Sequence, residues 1–170
     1  HYQLDMEMSF VEQEDIFKVV EPIFYNLFSK FGKGKEINKN PFPRITYNES
    51  IEKYGTDKPD LRNPIQIFDV TKIFKSNETK LKIFKEIIEK KGIVKAIPIK
   101  NTSSKPRSFF DNLNNWAISE GASGLAYMAF EKNKDKIVGK GPISKFFSEK
   151  GISELLKTCD ITEKDSVFFV

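Results

Sequence analysis

Within its first 31 residues the chain spaces its apolar side chains with two different periods, and that change restricts it to a fold of both strands and helices. Tyr2, Leu4, Met6, Met8 and Phe10 alternate with Gln3, Asp5, Glu7 and Ser9, the pattern of a strand with one apolar and one polar face. The polar face carries two carboxylates and an amide, so it meets water or lines a pocket. From Gln13 the period lengthens: Ile16, Phe17, Val20, Ile23, Phe24, Leu27, Phe28 and Phe31 follow helical spacing until Gly32 stops the run. Pro22 is expected to kink or split this helix, because its ring removes an N–H donor and crowds the preceding turn.

Residues 33–40 read as a charged, glycine-containing loop. Thr46 and Glu49 have capping-box spacing ahead of a short helix that Gly55 ends. Residues 56–64 hold two prolines and several turn formers, which places a domain boundary there: residues 1–64 form one part and residues 65–170 another. In the second part residues 93–99, 125–130 and 167–170 read as strands. Helices are predicted around Phe109 to Ala117, from Pro142 through Phe147, and near residues 152–157. Residues 65–91 carry both signals, Ile65, Ile67 and Val70 suggesting a strand and Leu81, Phe84, Ile87 and Ile88 a helix. Residues 132–140 read as a solvated loop. The order predicts an α+β class, with a two-layer domain of mainly antiparallel sheet packed against helices.

Composition narrows the function classes. Sixteen Phe and 39% hydrophobic residues are too apolar for a disordered chain. The single Cys, Cys159, excludes an internal disulfide and a cysteine-rich zinc site, and the single His, His1, makes a histidine-based triad untenable. No apolar run nears a membrane span and no signal peptide opens the chain, so a cytoplasmic setting is expected and no membrane partner. The formal charge of +4 admits a nucleic-acid partner, but 25 of the 28 basic residues are lysines scattered along the chain, as codon bias in an AT-rich genome would produce. Trp116, at helical spacing with Phe109 and Leu113, reads as core, and Cys159 as a small inert hydrophobe.

Three segments, in the same order, resemble the bacterial-type aspartyl-tRNA synthetases. Tyr-Gln-Leu-Asp-Met-Glu-Met-Ser-Phe at 2–10 is similar to the second strand of the class II motif 2 hairpin. Pro-Phe-Pro-Arg-Ile-Thr-Tyr at 41–47, followed by Tyr-Gly-Thr-Asp-Lys-Pro-Asp-Leu-Arg at 54–62, is the most specific of the three. Gly-Ala-Ser-Gly-Leu-Ala-Tyr at 121–127 with Gly-Pro-Ile-Ser-Lys-Phe-Phe-Ser-Glu at 141–149 resembles the inserted domain called GAD, shared with tRNA-dependent amidotransferases.

The resemblance implies that residues 1–64 are part of a class II catalytic core and residues 65–170 an inserted GAD domain. The parent would be an aspartate–tRNA ligase that activates aspartate with ATP and magnesium and transfers it to tRNA, and it would be a homodimer. By resemblance Asp5 receives the substrate's α-ammonium with Gln3 beside it, a charge-assisted contact of the strong kind. Glu7, Lys58, Asp60 and Arg62 are possible supports, although a Lys-Pro-Asp loop also suits a locked domain junction. No catalytic or metal-ligating residue is assigned. Motif 1, the motif 2 arginine and motif 3 have no counterpart, so the fragment alone is expected to bind no cofactor and not to activate aspartate. The alternative is a non-enzymatic tRNA-binding GAD module of an amidotransferase, and a third reading is a scaffold whose charge is incidental. Lys100, Lys105 and Arg107 flank a loop and helix start where phosphate could bind, though solvated surface is the plainer account.

Overall fold

The structure, a computed structural model, describes residues 1–38 and 41–170. The chain divides into two compact units, His1–Thr46 and Tyr47–Val170. This division falls earlier than the junction expected at residues 64 and 65. The short helix and the motif at 54–62 belong to the second unit, where the backbone N–H of Ile67 donates to the Lys53 carbonyl at 2.8 Å.

The first unit is dominated by α1 (Gln13–Phe31), with the bounds its spacing predicts. Pro22 does not split it. Nine helical residues on either side keep the hydrogen-bond ladder, and the loss of one donor is absorbed. The helix ends as Gly32 donates to the Phe28 carbonyl at 2.7 Å. The loop expected at 33–40 is irregular through residue 38, while Lys39 and Asn40 lie outside the described residues.

The strand expected at residues 2–10 is not formed. These residues carry no ladder and are exposed throughout. A strand's backbone groups need a neighbouring strand, and among the described residues none pairs with this segment, so alternation alone does not make it a strand.

The second unit opens with α2 (Tyr47–Tyr54), which Gly55 terminates in the left-handed region at φ 72°. One antiparallel sheet follows. Its strands are β1 (Phe68–Asp69), β2 (Lys95–Ile99), β3 (Ala126–Asn133), β4 (Lys136–Lys140) and β5 (Ser166–Phe169), in the spatial order β1-β2-β5-β3-β4. The helices are α3 (Thr71–Lys75), α4 (Lys82–Glu89), α5 (Arg107–Ser119) and α6 (Glu149–Thr158). Both signals between residues 65 and 91 are therefore present, as a two-residue strand and two helices.

The helices cover both faces of the sheet, so the expected two-layer packing is corrected to three. On one face Ala96, Met128, Phe130, Val167 and Phe169 meet α3, α4 and α6. On the other, Ala129 and Phe168 with Ile97 and Tyr127 meet Phe110 of α5. Period-two alternation sends neighbouring residues of β5 to opposite faces, and all four are buried because both faces are packed. Phe74 of α3 centres the first core, with the rings of Phe84, Phe147 and Phe169 at centroid distances of 4.7, 5.4 and 5.2 Å.

Three further expectations change. The segment 132–140 is the end of β3 and all of β4, joined by a turn at Lys134 and Asp135 with Lys134 at φ 54°. Its polar composition is that of an edge hairpin rather than a loop. Pro142 does not open an α-helix; the chain makes a single 3-10 turn, Ser144–Phe146. Trp116 is not core, being 60% exposed, while Phe110 and Ala117 carry the buried face of α5. No helix among the described residues is long and apolar enough to cross a membrane.

Candidate functional site

Gln3, Asp5 and Glu7 lie on the irregular segment that precedes α1 in the first unit, exposed and two residues apart. Pairing as a strand would put alternate side chains on one side, and the polar face foreseen from the sequence would then have a fixed spacing. The segment turns at Phe10, whose φ is 59°, and then enters α1, where the Asp15 carboxylate accepts the Glu12 backbone N–H at 3.2 Å.

A second polar group in this unit was not singled out from the sequence. Arg44 donates to the Glu21 carboxylate, to the Glu14 carboxylate at 3.3 Å and to the Phe42 carbonyl at 3.0 Å. Its guanidinium also lies 4.4 Å from the centroid of Phe17. Glu14, Phe17 and Glu21 are spaced at three and four residues, hence on one helical face. The hydrogen bond to Glu21, then that to Glu14, raises the Arg44 pKa further, so the guanidinium stays charged. Glu21 is the buried residue of α1 because this fork covers it. The legible signals were the Pro-Phe-Pro-Arg run and two glutamates two helical turns apart.

Lys58, Asp60 and Arg62 belong to the second unit, whereas Gln3, Asp5 and Glu7 belong to the first. The charges of the second set are engaged locally. Arg62 grips Asp60 through Nε at 2.8 Å and Nη2 at 2.6 Å, and its own backbone N–H donates to the same carboxylate at 3.0 Å. The Arg62 side-chain hydrogen bonds, with the backbone one, hold the Asp60 carboxyl down at about 2. Lys58 pairs with Asp57 at 2.7 Å, and the Ser50 hydroxyl donates to the Thr56 carbonyl at 2.7 Å. The motif thus folds as a turn whose ions satisfy one another.

In the sheet unit Lys100 is structural. It donates to the Asp160 carbonyl and lies 3.3 Å from the carboxylate of Asp165. Asp165, 1% exposed, also accepts from the backbone N–H of Asn101 at 2.9 Å, and from the backbone N–H and hydroxyl of Thr162 at 2.8 Å each. Burial opposes its ionisation, but these hydrogen bonds outweigh it and leave the carboxyl below the usual range. Lys105 is exposed, and Arg107 reaches Asp111 one turn along α5 at 3.4 Å. Cys159 is 1% exposed, and burial pushes its thiol up to about 12, as suits an inert side chain. The Ala-Ser-Gly-Leu-Ala stretch at 122–126 rims an apolar hollow of about 450 Å³ that also touches Ile83, Ile87 and Val170. No cluster of three or more His, Cys, Asp or Glu side chains fit to hold a metal occurs among the described residues.

A family model for class II tRNA synthetases (D, K and N) matches residues 1–169, and the chain belongs to that family. Within it, the chain is similar to the bacterial-type aspartyl branch, as its three motifs indicated. It is 49% identical over 168 residues to an aspartate–tRNA(Asp/Asn) ligase of Beijerinckia indica subsp. indica and 50% identical over 168 residues to one of Pelagibacter ubique; each match covers 99% of this chain and 28% of the relative. To one of Rickettsia canadensis it is 53% identical over 169 residues, 99% of this chain and 27% of that protein. The chain therefore spans little more than a quarter of the length of these relatives.

Proposed function

We propose that this chain is a section of an aspartate–tRNA ligase, which activates aspartate with ATP and passes the aspartyl group to tRNA. The observation that carries the reading is the identity of about half of all residues, over 99% of the chain, with proteins of that name. The amidotransferase module is disfavoured, since the matches run through residues 2–10 and 54–62 as well as the sheet unit. The relatives' names extend to both aspartate and asparagine tRNA, and the same dual acceptance is proposed for the parent.

In this reading residues 2–10 pair with another strand of the parent's core, which fixes Gln3, Asp5 and Glu7 on one face. Asp5 then takes the α-ammonium of aspartate, Gln3 lies beside it, and Glu7 extends the acidic face. The uncovered apolar side of α1, with Phe24, Leu27, Phe28 and Phe31 exposed, supports the idea that this unit is part of a larger core. The mutual pairing of Asp60 with Arg62 and of Lys58 with Asp57 supports a junction role for that loop over substrate contact. Residues 65–170 are proposed as the GAD insertion, with the short α2 and its motif as the lead-in. ATP and magnesium belong to the parent's reaction. The described residues offer no cluster to hold the metal, and no step here runs through it. A homodimeric, cytoplasmic parent completes the proposal.

Aspartate-dependent pyrophosphate exchange by the full-length enzyme tests it. Asp5→Ala should lower the rate by about 2–5 kcal/mol of lost transition-state stabilisation, roughly thirtyfold to several thousandfold. Exchange unchanged by the substitution refutes the ammonium role.

A further inference from the structure

Counted with their acids, the lysines of this chain are not evenly spread in effect. Residues 72–91 hold seven lysines and three glutamates, a surplus of four that equals the +4 of all 170 residues, so the rest of the chain is neutral in sum. The fold gathers this surplus on α3, α4 and their flanking turns, within one helical layer of the sheet unit. Ile73 and Phe74 turn into the core and leave Lys72 and Lys75 exposed. On α4, Phe84 and Ile88 pack inward, with Lys82 exposed and Lys85 half-buried. Lys80, Lys90 and Lys91 are exposed on the turns.

Among the described residues none of these seven ammonium groups has an ion-pair partner; lysines elsewhere are mixed, Lys95, Lys136 and Lys140 being paired and Lys132 and Lys157 not, so what marks this segment is the density of unpaired charge. The acids offset them only on α4. Glu78 is turned to α6, where the Ser148 hydroxyl donates to it and Lys150 lies at 3.5 Å; Ser148 foremost holds its carboxyl below the usual range. Glu86 and Glu89 remain. On α4 the i,i+4 spacings of Glu86 to Lys82 and Lys90 and of Glu89 to Lys85 offset part of the charge, whereas the like charges of Lys72 and Lys75 on α3, with Lys80 and Lys91 on the turns, are not so spaced and call for counter-charge from outside.

We propose that the outer surface of α3 and α4 is a docking surface for the phosphate backbone of tRNA. The proposal rests on the ligase reading, which supplies the RNA. Lysine suits the role, being a point charge for phosphate; the three arginines, which could read base edges with a planar fork, lie at 44, 62 and 107, outside the segment. A membrane surface fits less well, because the exposed apolar residues of α4, Ile83 and Ile87, line the hollow over residues 122–126 instead of joining the basic surface.

The test is equilibrium binding of an aspartate tRNA transcript to the full-length enzyme at several salt concentrations. One variant carries Lys72→Gln, Lys75→Gln, Lys82→Gln and Lys90→Gln. A control removes four charges elsewhere, through Lys132→Gln, Lys134→Gln, Lys157→Gln and Lys164→Gln. The surface variant should flatten the slope of log K against log salt by about 0.7–0.9 for each phosphate it no longer neutralises and weaken low-salt binding roughly tenfold or more, with the control near wild type. Equal weakening in both variants, or a wild-type slope in the surface variant, overturns the proposal. So does a surface variant that loses binding to phosphatidylserine vesicles while keeping its tRNA slope. Aspartate-dependent pyrophosphate exchange, run on the same proteins without tRNA, separates the two claims. Normal exchange with an unchanged slope sinks the docking surface alone, and absent exchange in the wild type sinks the ligase reading.

Discussion

Asp165 holds two loops of the sheet unit together from a position that water does not reach, accepting from Asn101, Thr162 and Lys100 at once. Replacing it with Asn puts an amide against donors, and each N–H left unpaired costs about 1–3 kcal/mol. The pH dependence has a definite sign. A carboxyl whose folded pKa is depressed contributes stability that is fully present above the ordinary aspartate value, about 3.9, and lost as pH falls through the lower folded value. Urea unfolding of wild type between pH 5 and 2 should show that loss, and Asp165→Asn should be both less stable at pH 6 and flatter in the acid range; parallel curves would contradict the assignment. Cys159 offers a second check, since a buried thiol raised to about 12 should stay silent to a thiol reagent at pH 8 until the protein is unfolded. Prompt labelling of the folded protein would contradict its burial. Cys159 was legible in the sequence as a lone small hydrophobe. Asp165 was not, since a Thr-Glu-Lys-Asp run looks like any surface turn until the loop at Lys100 closes over it.

The element that best shows local coding is α6. Its N-cap Ser148 accepts the Gly151 N–H at 3.0 Å and donates to Glu78, tying the helix to the turn ahead of α4. Ser148→Ala should therefore cost about 1 kcal/mol from the cap, read as a shift in the urea midpoint with unchanged m-value; no shift would deny the cap a role. Helices with a long apolar period, α1 and α5, were legible in the sequence because 3.6-residue spacing repeats over several turns. Trp116 was misplaced on α5 because Phe110 and Ala117 fill the buried stripe and leave it outside. β4 was hidden for the opposite reason. This edge strand is short and begins and ends on an exposed lysine, next to the polar run of the turn, so composition pointed to a loop. Residues 2–10 show the remaining limit, since alternation states which side a residue would face, while pairing depends on a second strand.

At the scale of the whole molecule, two units of different make-up share the chain. The unit Tyr47–Val170 closes a core on both faces of its sheet. The unit His1–Thr46 keeps one helix, one arginine fork and a segment of exposed residues that carries Gln3, Asp5 and Glu7. The family was legible from three short motifs because each is a run of several residues close together in the sequence. The candidate site was legible only as the polar side of an alternating segment, since Gln3, Asp5 and Glu7 are exposed and no strand among the described residues pairs with them. The most direct test of the account is aminoacylation: the full-length enzyme carrying this chain, given aspartate and ATP, should attach aspartate to transcripts of both the aspartate and the asparagine tRNA. Attachment to the aspartate tRNA alone would contradict the dual specificity, and failure to charge either with aspartate would contradict the ligase reading itself.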